Sequence, residues 1–434
     1  MSPRLRTFLL FVLVALLYIS TGFLQSWTLA LTIFNMGILS AIMALGANMQ
    51  WGYAGLFNIG IMGFTALGGL AAVLIAMPAN PGAWAAGGWR LVAALLVGAA
   101  TIAVAVQLWR RMHSGTARTL AMLCVLIAGF FAYRWLFDPA VTAIEAVNPA
   151  SAGNLGGLGL PVLLAWPVGG ALAGAAAWGI GKVALGLRSD YLAIATLGVA
   201  EIIVAVMKNE DWLARGVKNV VGIPRPVPYE IDLQNDADFV AQAVSFGLDP
   251  VTASTLWVRL CYAGLFLAVL IVLLVLLELA LKSPWGRMMR AIRDNETAAE
   301  AMGKDVRRRH LQIFVLGSAV IGLAGAMMTT LDGQLTPTTY NPLRYTFLIW
   351  VMVIVGGSGS NWGAVLGGFL IWFLWVQVEP LGNLLMQGLT YFMADNSWLR
   401  GHLQDSAQHM RLMTMGIILL LVLRFSPRGL IPER

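Results

Sequence analysis

Few residues in this sequence are placed to do chemistry. Glu201 lies in the middle of a long apolar run, about ten residues from Asp190 and seven from Lys208. A charge at such a position costs about 2.5–3.5 kcal/mol on insertion scales, so Glu201 is expected to face the protein interior or a cavity. It reads either as a polar station or latch on a translocation path, or as a protonated group making a structural hydrogen bond. Glu278 stands nearer the end of its run and is expected to reach a loop arginine. Asn35, Asn48, Asn58, Thr65 and Asn361 are uncharged polar residues in apolar surroundings. They suit walls that pass a zwitterion, and equally suit interhelical hydrogen bonds. Asn58 follows directly on a Gly-Tyr-Ala-Gly stretch that interrupts the apolar pattern. The four histidines, His113, His310, His402 and His409, fall in loops or at the edges of runs and lack metal-ligand spacing. Phosphate-cradling chemistry is missing: Gly181-Lys182 and Gly303-Lys304 are followed by Val183 and Asp305 and lack the upstream glycine of a P-loop. The chain therefore reads as neither an enzyme nor an ATPase, with no cofactor of its own.

The loop 282–310 holds chemistry of another kind. It reads KSPWGRMMRAIRDNETAAEAMGKDVRRRH. Pro284 suits a helix start, Trp285 to Met302 follows without another proline, and Gly303 suits a stop. Arg287, Arg290 and Arg293 stand beside a small-residue surface of Met288, Ala291, Ile292, Ala298, Ala299, Ala301 and Met302. Such a helix fits the groove of a partner; the plainer alternative is a solvated basic connector.

The elements that must position these residues are membrane spans. Of 434 residues, 59% are apolar and 11% are Asp, Glu, Lys or Arg, against about 25% charged in a soluble protein. This excludes a soluble enzyme, a disordered scaffold and a nucleic-acid binder despite the net charge of +7. Cys124 and Cys261 both sit in apolar runs and define no disulfide framework. A span needs about 20 apolar residues. Runs of that kind lie near 5–24, 28–49, 56–77, 91–109, 119–137, 161–181, 191–207, 256–281, 311–331, 343–357, 362–378 and 411–425. The first is kept as a span because no small-residue cleavage site follows it. Trp27, Trp89 and Trp135 read as interface anchors.

Loop charge then orients the runs. Arg4 and Arg6, the connection with Arg110, Arg111 and Arg118, the connection with Lys182 and Arg188, and the eight basic residues of 282–310 mark the inner side. Asp138 and Glu145 without any basic partner in 138–160, and seven acidic against four basic residues in 208–255, mark the outer side. Arg424, Arg428 and Arg434 ask for an inner C-terminus, hence an even number of passes. The expected fold is all-α: one transmembrane helical bundle over 1–434, with ten to twelve spans. Glycine-rich interruptions at Trp51–Phe64 and Gly356–Gly368 suggest broken or re-entrant segments and an internal repeat of the kind transporters use. Close-packing glycines at helix contacts would give the same composition. Gly356, Gly357, Asn361, Asn58 and Glu201 are the path residues this reading selects.

Several stretches carry a resemblance. Thr297, Ala298, Ala299 and Gly303 fall at the spacing of the Glu-Ala-Ala-x-x-x-Gly loop of ABC-importer permeases, with Glu296 just before. LGANMQWGYAGLFNIGIMGF (Leu45 to Phe64), RSDYLAIATLGVAEII (Arg188 to Ile203), SPWGRMMRAIRDNETAAEAMG (Ser283 to Gly303), GLAGAM (Gly322 to Met327), VGGSGSNWGAVLGG (Val355 to Gly368) and RFSPRGL (Arg424 to Leu430) are similar to the LivM-like permeases of branched-chain amino-acid importers, in the family's order. The chain departs from that pattern at Ile61-Met62 and at LARGVKNVVGIP (Leu213 to Pro224), which an acidic extension follows. The resemblance implies a multi-pass protein of the bacterial inner membrane with both termini cytoplasmic. It implies a homo- or heterodimeric permease core, two cytoplasmic ATPase subunits that bind ATP, and a periplasmic solute-binding protein. It also implies that 282–310, with Arg287, Arg290, Arg293, Glu296 to Ala299 and Gly303, meets the ATPases. Branched-chain amino acids, and urea or short amides, stay open as substrates; an ion-coupled carrier and a passive channel are the rival classes.

Overall fold

In the computed structural model, residues 2–149, 153–391, 398, 402 and 409–433 are described. The apolar runs form α1 (Pro3–Leu24), α2 (Trp27–Ala54), α3 (Ile61–Ala76), α4 (Pro81–Arg111), α5 (Thr116–Glu145), α6 (Val162–Ala184) and α7 (Ser189–Asn209). After two short helices, α8 (Glu230–Asn235) and α9 (Ala237–Ser245), come α10 (Pro250–Lys282), then α11 (Pro284–Asp294) and α12 (Glu296–Ala301). The chain closes with α13 (Val306–Asp332), α14 (Leu343–Gly356), α15 (Asn361–Thr390) and α16 (Met410–Phe425). Among the described residues nine helices are long and apolar enough to cross a membrane, while α3 and α14 are shorter apolar helices. Capping sets the boundaries: Ser26, Asp249, Asp305 and Ser360 accept from the backbone of Leu29, Thr252, Arg308 and Gly363, and Gly55 and Gly333 end α2 and α13 in the left-handed region.

α13 is the hub. Its small residues let α2, α3 and α6 approach to backbone contact, as membrane bundles do where no hydrophobic force separates helix from lipid. A Cβ at Gly317 would lie 2.7 Å from the carbonyl of Gly46, and one at Gly322 2.6 Å from that of Gly169. α15 packs on α2 and α14, and α10 on α2. The hairpin α4–α5 stands at the edge, its two helices packed mainly on each other and exposing Leu96, Ile102, Phe130 and Phe131. Trp27, Trp89 and Trp135 are exposed.

The connections sort to two ends. At one, Asn80 donates to Leu155 O, Leu155 to Trp212 O and Leu158 to Leu74 O, and β1 (Val220–Val221) pairs with β2 (Gln334–Leu335). At the other, Arg307 bonds Lys182 O, and Arg4, Lys282, Arg290 and Glu433 line one cavity. These groupings match the charge-based sorting of loops. Arg4 and Glu433 at the same end agree with an even number of passes.

Candidate functional site

Both glycine interruptions are real breaks in helices, and they meet at the basic end. The first, residues 55–60, joins α2 to α3. Gln50 donates to Phe314 O at 2.9 Å and Ser318 Oγ at 3.0 Å, and accepts from Asn58 Nδ2 at 2.8 Å. Asn58 Oδ1 in turn accepts from Gly60 N, and its carbonyl accepts from Trp350 Nε1. Thr196 of α7 and Thr346 of α14 bond the two sides of Ile59. The break thus satisfies its backbone through three other segments, α2, α7 and α14, as irregular backbone at membrane depth must. Asn58 is buried, its side chain bonded to Gln50 and to the backbone of Gly60.

The second break follows Gly356. The last carbonyls of α14 are capped by the C-terminal tail: Leu430 N donates to Val355 O and Ile431 N to Gly356 O, both at 2.8 Å. Gly357 (φ +123°) and Gly429 (φ +78°) touch so closely that neither has room for a side chain. Two residues on, Gly359 N donates to Asn48 Oδ1 at 2.8 Å, tying this break to α2. Asn361, at the start of α15, accepts from Tyr53 Oη at 3.1 Å and donates to Glu278 Oε1 at 3.2 Å. Of the path residues selected from sequence, Gly356 and Gly357 are buried among backbone, and Asn361 borders an open cavity.

The 282–310 loop lies against this junction, with a correction to its expected form. It is two helices, not one, because Asn295 turns extended (φ −156°, ψ 97°) and caps α12 by accepting from Ala298 N. Met289 and Ile292 of α11 point inward. Glu296, Thr297, Ala298, Ala301, Met302 and Gly303 are exposed, but Ala299 is buried and cannot be part of an outward docking surface. Gly303 (φ +78°) ends the segment as expected. Arg287 is exposed and donates to Lys282 O, and Arg290 reaches Leu281 O at 3.4 Å. Arg293 turns inward: its guanidinium bonds Gly52 O and Glu433 Oε2, the latter at 2.7 Å, and reaches Asp294 at 3.2 Å. Burial works against its charge, but the carboxylates of Glu433 and Asp294 outweigh it and hold the pKa above the ordinary arginine value. One side chain therefore links the loop, the end of α2 and the tail.

Two carboxylates differ from expectation. Glu201 faces neither the interior nor a cavity; it is exposed on the outer side of α7, in line with Tyr191, Ile194, Gly198 and Ala205. Its neighbours on the helix, Ala200 and Val204, take the inward positions. Glu278 reaches Asn361 and, at 3.8 Å, Lys282, rather than an arginine. Sequence reasoning missed Gln50, Tyr53 and Glu433. Gln50 carried a signal, a polar residue in an apolar run; Glu433 carried none, because only the fold returns the tail to Arg293.

The comparisons with known proteins agree with this architecture. A family described as branched-chain amino acid transport system / permease component matches residues 140–423. The chain is 29% identical over 235 residues to the high-affinity branched-chain amino acid transport system permease protein LivM of Escherichia coli, covering 53% of each. It is 26% identical over 251 residues to the probable LivM of Methanocaldococcus jannaschii, 57% of this chain and 61% of that protein. To the probable LivH of the same archaeon it is 32% identical over 110 residues, 25% of this chain and 34% of that one. The chain spans about half the length of the LivM proteins it matches. No solved structure matches.

Proposed function

We infer the function from one premise: the chain belongs to the family of branched-chain amino-acid transport permease components. From there, the chain is the membrane-spanning subunit of an ATP-driven importer, passing branched-chain or related amino acids delivered by a periplasmic binding protein. It binds no nucleotide itself; two ATPase subunits hydrolyse ATP on the cytoplasmic side. The basic end is cytoplasmic, both termini with it, and the acidic segment with α8 and α9 faces the periplasm, where the binding protein docks.

The observation that carries this reading is the Arg293 junction. The exposed surface of α12, with Arg287 beside it, is free to seat on an ATPase, while Arg293 on the same loop holds Gly52 at the first break and Glu433 beside the second. A displacement of the loop therefore reaches both breaks through one guanidinium. Such a linkage suits alternating access, with the breaks as hinges and Tyr53, Glu278 and Asn361 lining the inner vestibule. A second permease subunit covers the outer face of α7, which removes Glu201 from lipid; a carboxylate at mid-span demands that cover.

Reconstitution tests the reading. Vesicles holding this chain with its second permease, ATPases and binding protein are expected to take up labelled leucine only with internal or external ATP on the ATPase side. Uptake that survives without ATP and collapses with an ionophore, or accumulation by this chain alone, would overturn it.

A further inference from the structure

Beside the Arg293 junction, two cavities follow one face of α1, the inner vestibule at the basic end and an apolar groove further along the helix. The first, about 720 Å³ at the basic end, is lined by Arg4, Phe8, Lys282, Arg290 and Ser360, with Glu278 and Glu433 on its wall. The second, about 340 Å³, is an apolar groove between α1 and α2 lined by Val14, Tyr18, Ile19, Phe34 and Phe369. Phe11 lines both. We propose that this face of α1 binds an anionic phospholipid, its phosphate in the basic part of the vestibule among Arg4, Lys282 and Arg290 and one acyl chain in the groove beyond Phe11.

Charge, polarity and length each point that way. The two acids in the upper cavity are already engaged: Glu433 pairs with Arg293 at 2.7 Å, and Glu278 accepts from Asn361 and meets Lys282 at 3.8 Å. Arg4 and Arg290 make no ion pair among the described residues, so the free charge of the cavity is positive. The groove is apolar: its Tyr18 hydroxyl is taken up by Phe369 O, and the Trp27 indole N–H is the one other polar side-chain group in its lining. From Phe11 to Ile19 a helix rises about 12 Å, close to the ~15 Å hydrocarbon depth of one leaflet. α1 faces outward, with Phe8, Leu9, Leu13 and Leu16 exposed, so lipid has direct access. A soluble anion would use the upper cavity and leave the groove empty; a neutral lipid would fill the groove and gain nothing from the arginines. The proposal does not depend on which solute the chain passes.

Native mass spectrometry of the purified full chain tests it, with phosphatidylglycerol and phosphatidylcholine of identical acyl chains as probes. Phosphatidylglycerol is expected to be retained at least several-fold better. Replacing Arg4→Gln together with Arg290→Gln is expected to weaken its binding ~10–30-fold, from about 1 kcal/mol for each basic residue. Ala15→Trp, which fills the groove without touching charge, is expected to lower retention of both lipids. Equal retention of the two lipids by the native chain would overturn the proposal. So would inorganic phosphate displacing phosphatidylglycerol while Ala15→Trp leaves retention unchanged, which would assign the cavity to a free anion. Because the readout is lipid retention, failure here leaves the transport reading standing, and failure of transport leaves this one standing.

Discussion

Arg293 does at the scale of a residue what no other side chain in the loop does. Three acceptors on three segments share its guanidinium, and hydrogen bonds to a charged group are each worth about 1.5–3 kcal/mol. Glu433→Gln keeps the shape and removes the charge. In the assembled complex it is expected to cut leucine uptake ~10-fold or more while ATP hydrolysis continues, measured in the same vesicles. The exchange Arg293→Glu with Glu433→Arg restores the pair but not the bond to Gly52 O, so partial recovery is expected. Full uptake by Glu433→Gln would remove the tail from the coupling route. A second contrast separates docking from folding. Ala298 is exposed and Ala299 buried. Ala298→Glu is expected to insert and melt normally but lose co-purification with tagged ATPase subunits. Ala299→Glu buries a carboxylate and is expected to lower the melting temperature of the chain itself. If Ala298→Glu still captured the ATPases, α12 would not be the docking element.

At the scale of elements, the outward side of α7 and the inward side of α13 show opposite uses of small residues. On α13 they admit neighbouring backbones, so Gly317, Gly322 and Gly325 are already occupied space. On α7, Gly198 has nothing near the position of a Cβ, and the stripe that includes Glu201 is open. Glu201→Leu is therefore expected to leave the melting temperature of the isolated chain unchanged within ~0.5 kcal/mol, as exposed sites do, while reducing the share of second permease that co-purifies with it. A marked loss of stability in the isolated chain would mean that Glu201 has an internal partner after all. The acidic segment is also an element-scale matter: α9 presents Asp238 and Val244 on an exposed surface at the end opposite the 282–310 loop.

At the scale of the whole molecule, the two ends differ in charge as the membrane demands, and that difference predicts orientation. In a chain carrying Cys124→Ser and Cys261→Ser, a cysteine introduced by Gln242→Cys is expected to react with an impermeant thiol reagent added outside intact cells. One introduced by Lys304→Cys is expected to react only after the membrane is opened. The reverse pattern would invert the molecule and with it the assignment of the ATPase side. How much of this was legible in the sequence follows from range. Spans and the sorting of loops depend on local hydropathy and on the cost of carrying charge across lipid, so each of the twelve apolar runs falls on a helix, although Pro81–Arg111, Thr116–Glu145 and Asn361–Thr390 extend well beyond their runs and 56–77 loses its start to the first break. The direction in which a side chain points depends on what packs against its helix. Apolar surroundings point Glu201 inward, yet it lies outward; the small-residue stripe points Ala299 outward, yet it lies inward; the helix expected at 285–302 breaks at Asn295. The meeting of Gly52, Arg293, Gly359 and Glu433 brings together residues far apart in sequence, 241 positions for Gly52 and Arg293 and 140 for Arg293 and Glu433. Composition and periodicity fix which segments enter the bilayer, because that energy is summed along the chain; only tertiary packing decides which polar groups find one another inside it, because that energy exists only between segments.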